Sequence, residues 1–298
     1  MRLNMRLVGW LRTLALIGML CGFVPDGVHA QSQSQGVSQG ASEGASQGAP
    51  IPCGLGMVDR EQPGVLKPIR RVAMRTAAAA PAGQLRVTFV GHATFLLETP
   101  DGASLATDWN GHNLPRYVPD IATMNNYHIT HYTDFPDPAL KYVLRGWDPA
   151  GGIARNDMKL KDLRVYSVPT NIQTYGNRTT NGNSIFVFDT VNLCLAHLSH
   201  LHHELTEEEA SRLGRIDVLF VPIDGYVSMS HDEVMSVIAL IKPRLVIVMH
   251  WDLFGGPGRF MARARGTYPT KTLDSNVILL SRETLPMDTE ILLMQQGP

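Results

Sequence analysis

The chain has 298 residues, 44% of them hydrophobic and 18% charged, with a formal net charge of −1. That balance excludes a chain disordered throughout and supplies apolar material for one large domain or two small ones. The absence of a basic excess argues against a nucleic-acid partner, and three cysteines exclude a disulfide-dense scaffold or a Cys-based zinc finger.

Residues 1–30 read as a signal peptide. Arg2, Arg6 and Arg12 form a positive start, Thr13 to Val24 is apolar but short for a membrane span, and Val28-His29-Ala30 is a small-residue cleavage site. The expected product is exported, periplasmic or secreted, with Gln31 at its N-terminus and no membrane span after cleavage. Residues 31–50 form a Gln/Ser/Gly/Ala tract with almost no large apolar side chain, expected as a linker. Residues 51–83 are an irregular lead-in, and the folded domain is expected over 84–298.

Within that domain, apolar runs predict strands at Leu85–Glu98, Ser104–Asp108, Ile121–Met124, Arg164–Val168, Ser184–Asp189 and Leu193–His197. Further strands are expected at Ile216–Pro222, Arg244–Met249, Asn276–Leu280 and Glu290–Met294. Thr206 with Glu209 at capping-box spacing opens one helix, and Ser230 to Ile241, stopped by Lys242-Pro243, forms another. Gly255-Gly256-Pro257-Gly258 reads as a loop. Strands alternating with short helices in one continuous stretch predict a single α/β sandwich. Cys194 lies on a core strand and Cys53 in the lead-in. They could pair in an oxidising compartment, but buried free thiols are the expectation.

Eleven histidines are the unusual feature, and four of them, His197, His200, His202 and His203, fall within seven residues. Several strands run straight into imidazole-bearing loops: Ile121–Met124 into Asn126, His128 and His131, Leu193–His197 into His200, and Leu245–Met249 into His250. Loops at the ends of buried strands are where a rigid scaffold displays chemistry, and imidazole nitrogens suit zinc.

These segments, in this order, resemble the metallo-β-lactamase-fold superfamily, in the branch holding ascorbate-phosphate lactonases and N-acyl-phosphatidylethanolamine phospholipase D-like hydrolases. The resemblance rests on Val87-Thr-Phe-Val-Gly-His-Ala-Thr-Phe-Leu-Leu, Leu105-Ala-Thr-Asp108-Trp, Asn183-Ser-Ile-Phe-Val, Ala196-His-Leu-Ser-His-Leu-His-His-Glu-Leu-Thr, Ile216-Asp-Val-Leu-Phe-Val-Pro and Val248-Met-His250. It spans roughly Leu85 to Trp251 and implies an αββα sandwich of two mixed β-sheets with outer helices and metals at one sheet edge. The family's His-x-His-x-Asp-His motif falls on Asn126-Tyr127-His128-Ile129-Thr130-His131, so its first His is Asn and its Asp is Thr. A further family His falls on Asn171, and the bridging Asp falls on His200.

The resemblance therefore implies one divalent ion, expected to be zinc, held by His128, His131, His200 and His250. His92, Asp108 and Asn171 are expected to support the ligands, Asp108 by fixing the tautomer of one of them. Asn126, Thr130 and His203 occupy catalytic positions: Asn126 to hold a water or a substrate oxygen, Thr130 in place of the water-orienting carboxylate, and His203 at the family's second-loop histidine. His202 is left open between an extra ligand, a donor supporting one, and a solvated residue before the Thr206 helix, with a functional role the lesser expectation. His197 is expected to be a core residue. Neutral imidazoles would leave the full charge on the ion, which favours an anionic substrate or hydroxide. The activity implied is hydrolysis of an ester, lactone or phosphoester bond in a small molecule. The alternative is a catalytically altered or inactive metal- or ligand-binding protein of the same fold.

Overall fold

The computed structural model describes residues 53–54, 79–126, 129–174, 177–253 and 255–297. The signal-peptide and linker expectations, and His128, lie outside them. The chain builds two mixed sheets. The first holds β1 (Leu85–Gly91), β2 (Thr94–Glu98), β3 (Ser104–Ala106), β4 (Ile121–Met124), β5 (Tyr142–Arg145) and, from the far end of the chain, a strand at Val277–Leu280. The second holds β6 (Asp157–Leu160), β7 (Leu163–Thr174), β8 (Asn177–Thr190), β9 (Leu193–His197), β10 (Val218–Pro222), β11 (Leu245–Met249), β12 (Thr270–Leu273) and β14 (Glu290–Met294), with Val277–Leu280 numbered β13. Strand order is β13-β1-β2-β3-β4-β5 in the first sheet and β12-β14-β11-β10-β9-β8-β7-β6 in the second.

The residue patterns explain the layers. In β1, Leu85, Val87 and Phe89 are buried while Arg86, Thr88 and Val90 are half-buried, the alternation of a strand with one face on a core. β9, β10 and β11 are buried at every position, as expected of parallel central strands covered on both faces. Val87, Phe89, Phe95, Phe186, Phe188, Phe220 and Ile247 belong to the core between the sheets. The second core, outside the eight-stranded sheet, packs Val221, Val246 and Val248 against α1 (Glu207–Leu213), α2 (His231–Ile241) and α3 (Gly258–Ala264) through Leu213, Val234, Ile238 and Phe260. Thr206 and Ser230 each close a full capping box, as their spacing predicts.

Three expectations need correction. Leu85–Glu98 is two strands, broken at His92-Ala93 by a turn that carries a site residue. The run expected to be only a loop ends in α3, whose first residue is Gly258; its apolar Phe260, Met261 and Ala264 are what bury it. Cys53 and Cys194 are bonded to each other rather than free. Gly54 lets the lead-in lie against α1, since a Cβ there would meet the Leu213 carbonyl oxygen at 2.8 Å. Among the described residues all three helices belong to the eight-stranded sheet. The outer face of the other sheet around Ala106, Ala122 and Met124 is covered by Trp109, Leu140, Tyr132 and Trp147 from loops and β-edges. No helix among the described residues is long and apolar enough to cross a membrane.

Candidate metal centre

The parallel register of β9, β10 and β11 brings their C-terminal ends, and so His200, Asp224 and His250, to one edge of the eight-stranded sheet. The facing sheet supplies His92 from the β1–β2 turn, Asp108 just past β3 and His131 from the loop after β4. The two sides are tied together: the His250 N–H donates to the His92 carbonyl at 2.8 Å, and His197 Nε2 lies 2.9 Å from the Ala93 carbonyl. The loop bearing His131 is closed by the Asn125 N–H donating to the His131 carbonyl. Asn125 is itself clamped across the sheets, accepting from the Ser184 N–H and donating to the Ser184 carbonyl. Gly146 makes room for that amide, because a Cβ there would fall 2.0 Å from Asn125 Oδ1.

His92, Asp108, Ser199 and His250 all adopt positive φ, between 44° and 60°. Side chains rarely accept that conformation, and each instance costs on the order of 1–3 kcal/mol. Four of them meeting at one edge mark a place where the direction of side chains outweighs backbone comfort.

His92, His131 and His250 each present a ring nitrogen, and these atoms lie within 4.8 Å of one another. His131 Nδ1 is 2.6 Å from Asp108 Oδ2, and His250 Nδ1 is 3.0 Å from Asp224 Oδ2. An ionised carboxylate only accepts. With Asp108 and Asp224 ionised, both Nδ1 atoms therefore carry the proton, His250 facing Asp224 as a close pair at an angle poor for a hydrogen bond, and both Nε2 atoms keep a lone pair. Those two Nε2 atoms stand 3.2 Å apart. Two lone pairs at that distance repel unless a cation lies between or beside them. His92 Nδ1 is 2.7 Å from Asp252 Oδ1, and its Nε2 is buried with no hydrogen-bond partner among the described residues. The donor set and the orphaned nitrogen both fit a divalent ion. Three carboxylates stand behind the imidazoles, so the ligands are not the uncompensated neutral set expected from sequence.

His200 is fully buried beside this group, its ring centroid 4.8 Å from that of His131 and 4.9 Å from that of His250. Its Nδ1 lies 2.6 Å from His202 Nε2, and His202 Nδ1 lies 2.9 Å from the Gln173 carbonyl. Burial lowers His202 to about 4, and lowers His197 and His250 as well, so these imidazoles are neutral near pH 7, as ligands must be. Burial raises the Asp108 carboxyl. Burial would raise Asp224 too, but the His250 ring beside it and hydrogen bonds from Ser228 outweigh it and hold that carboxyl well below the usual range.

The remaining expected residues divide. Asp108 stands behind His131 and also accepts from Ser199 Oγ at 2.6 Å. His92, expected in support, lies within the ligand group itself. Asn126 is exposed and Thr130 half-buried, with the Thr130 carbonyl accepting from Asn110 Nδ2. Asn171 Oδ1 accepts from the Asn181 N–H, and His203 accepts from the Asn171 N–H and donates to the Glu204 carbonyl, so these two side chains brace the β7–β8 arm. Asp224, Asp252, Ser199 and His202 were not assigned roles from sequence. The available signal was that Asp224 and Asp252 lie shortly past β10, which ends at Pro222, and β11, which ends at Met249, near the strand-end placement that singled out His250.

Residues 86–250 match the family described as a beta-lactamase superfamily domain. The chain is 25% identical over 192 residues to a UPF0173 metal-dependent hydrolase of Pyrococcus furiosus, covering 56% of this chain and 85% of that protein. It is 22% identical over 188 residues to a UPF0173 protein of Pyrococcus abyssi, covering 58% and 86%. Among solved structures it resembles a protein of Thermotoga maritima described as a Zn-dependent hydrolase of the metallo-beta-lactamase superfamily. That match has a TM-score of 0.52 and 22% identity, over 71% of this chain and all of that one. With more than half of its length matched by the family model, the chain belongs to the beta-lactamase superfamily domain family, and it has the two-sheet sandwich fold of that solved structure.

Proposed function

We propose that the protein is a metal-dependent hydrolase that holds one divalent ion, zinc by its donor chemistry, and cleaves an ester, lactone or phosphoester bond in a small molecule. The observation that carries this reading is the convergence of His131 Nε2 and His250 Nε2 at 3.2 Å with a carboxylate behind each ring. His131, His250 and His92 would hold the ion, with His200 beside them. When bound, such an ion polarises the scissile bond and makes water a nucleophile at neutral pH. Asp108 and Asp224 keep the protons on Nδ1 and so keep Nε2 available. Asp252, partly open to solvent, holds the proton of His92 Nδ1. Three of the usual donors for a second ion are replaced, by Asn126, Thr130 and Asn171, and Asn171 is engaged with Asn181.

Export is the second part of the reading. It is supported by the leader of residues 1–30 and by the Cys53–Cys194 bond, since disulfides persist in oxidising compartments.

One residue favours a different outcome. Thr130 stands where the family places a carboxylate that orients water, and a positioned base contributes roughly a hundred-fold or more. A protein that binds metal or ligand without turnover would follow from that loss. The test is to strip the exported chain of metal, restore zinc, and assay chromogenic esters, lactones and phosphodiesters with wild type and His250→Ala. Zinc-dependent turnover that His250→Ala abolishes is expected. Stoichiometric zinc with no turnover on any class would favour the binding protein.

A further inference from the structure

Carboxylates stand behind Nδ1 of His92, His131 and His250, but behind Nδ1 of His200 stands another imidazole. With both rings neutral, the order of hydrogen bonds there has one solution. The Gln173 carbonyl oxygen can only accept, so His202 carries its proton on Nδ1. A neutral His202 then has a lone pair on Nε2. His200 Nδ1, 2.6 Å away, must donate to it, and His200 keeps its own lone pair on Nε2. The chain runs from a backbone carbonyl through two rings to the metal-facing cluster.

We propose that His202 is a positioning residue that, anchored on the Gln173 carbonyl, holds His200 in the tautomer able to bind metal through Nε2. The proposal rests on the reading of the site as a metal centre. It also gives a use to the length of the β7–β8 arm. Gln173 lies beyond the bulge between Thr170 and Ile172, in the part of β7 that the apolar run Arg164–Val168 does not reach. The arm brings its carbonyl to 2.9 Å from His202 Nδ1, and the Asn171–Asn181 contact lies at the bulge. A neutral relay also differs from a carboxylate in charge: His200 is oriented without adding a further negative charge to an edge that already holds Asp108, Asp224 and Asp252.

The test has two arms on the exported chain. In metal-free protein labelled with 15N-histidine, two-bond proton–nitrogen correlations distinguish the neutral tautomers. His200 and His202 are both expected to carry the proton on Nδ1, and a proton on His200 Nε2 would overturn the proposal without touching the metal reading. This arm needs only wild type, so it decides even if a variant fails to fold. In the second arm, zinc is titrated against a chromophoric chelator with wild type, His202→Phe and His202→Gln. His202→Phe should bind zinc about ten-fold more weakly, the size of effect typical of groups that orient a ligand. His202→Gln, whose amide oxygen can accept from His200, should recover most of the loss. Equal affinity for wild type and His202→Phe would overturn the positioning role. A wild type that takes no zinc while showing the expected tautomers would overturn the metal reading, and the positioning role with it.

Discussion

Asp108 and His131 are both fully buried, and Asp108 Oδ2 lies 2.6 Å from His131 Nδ1. The contact decides which His131 nitrogen is left for metal. Asp108→Asn keeps the shape but lets the amide present a donor in place of an acceptor, which favours the opposite tautomer. Zinc affinity should fall by about 10- to 100-fold, read by chelator competition. Unchanged affinity would show that Ser199 and the surrounding packing orient the ring without this carboxylate.

The Cys53–Cys194 bond joins positions 141 residues apart, tying the lead-in to the middle of the eight-stranded sheet. A cross-link over so long a loop removes much of the freedom of the unfolded chain, and its loss should cost about 3–5 kcal/mol. Denaturant unfolding with and without reductant, together with Cys194→Ser, measures this. The chain from Gln31 onward, which lacks Cys21, should also show no reactive thiol when denatured without reductant. Two free thiols under those conditions would mean that the bond does not form.

The buried histidines set an acid limit. His197, His202 and His250 are held by burial below the ordinary imidazole value, His202 to about 4. The same residues titrate near 6.5 when unfolded. Between those values the unfolded chain binds more protons, so stability rises with pH and is lost as pH falls from about 6.5 toward 4. Asp224, held low, adds stability that is lost only at still lower pH. Asp108 and Asp189, both raised by burial, oppose the trend, two groups against the three imidazoles. The urea midpoint of metal-free protein should therefore be level from pH 8 to 7 and decline steadily from 6.5 to 4.5. A midpoint constant across that lower range would mean that the imidazoles are not held neutral by the fold.

Much of this was legible in the sequence, for physical reasons that differ by element. β9, β10 and β11 are apolar at nearly every position because both faces are covered, and a run of that kind is read directly. α1 and α2 announce themselves through Thr206–Glu209 and Ser230–Glu233. β5, β6 and β12 were missed: they are edge or near-edge strands of four residues, half-buried or exposed, so their sequences carry little apolar signal. At the site, His250 stood out because a histidine at the end of an apolar strand has few other uses, and His131 because it falls on the last histidine of the family's metal motif. Asp224 and Asp252 did not, because an acidic residue after a strand is ordinary until the ring it faces is known. His202 was hidden for the same reason. Its partner, the Gln173 carbonyl, is backbone, and backbone partners leave no trace in residue type. Cys53 and Cys194 are 141 residues apart in the chain, a separation from which pairing cannot be deduced.

The substitution of His200 for the family's bridging carboxylate should fix the metal count. Imidazole donates one nitrogen and no charge, so it serves a single ion, whereas a carboxylate offers two oxygens and a negative charge that can span two. Wild type should therefore carry close to one zinc per chain by elemental analysis of protein purified without a histidine tag. His200→Asp restores the bridging donor but leaves Asn126 and Thr130 unchanged, so the second ion should bind only in part, roughly one and a half equivalents in excess zinc. His200→Ala removes a donor from beside His131 and His250 and should weaken the single site by about ten-fold or more. The three proteins are titrated in one buffer and their melting followed in parallel, so that misfolding is separated from lost ligation. Two tightly held ions in wild type would remove the case for a mononuclear centre. An alanine variant that binds zinc as tightly as wild type would confine the described ligand group to His92, His131 and His250.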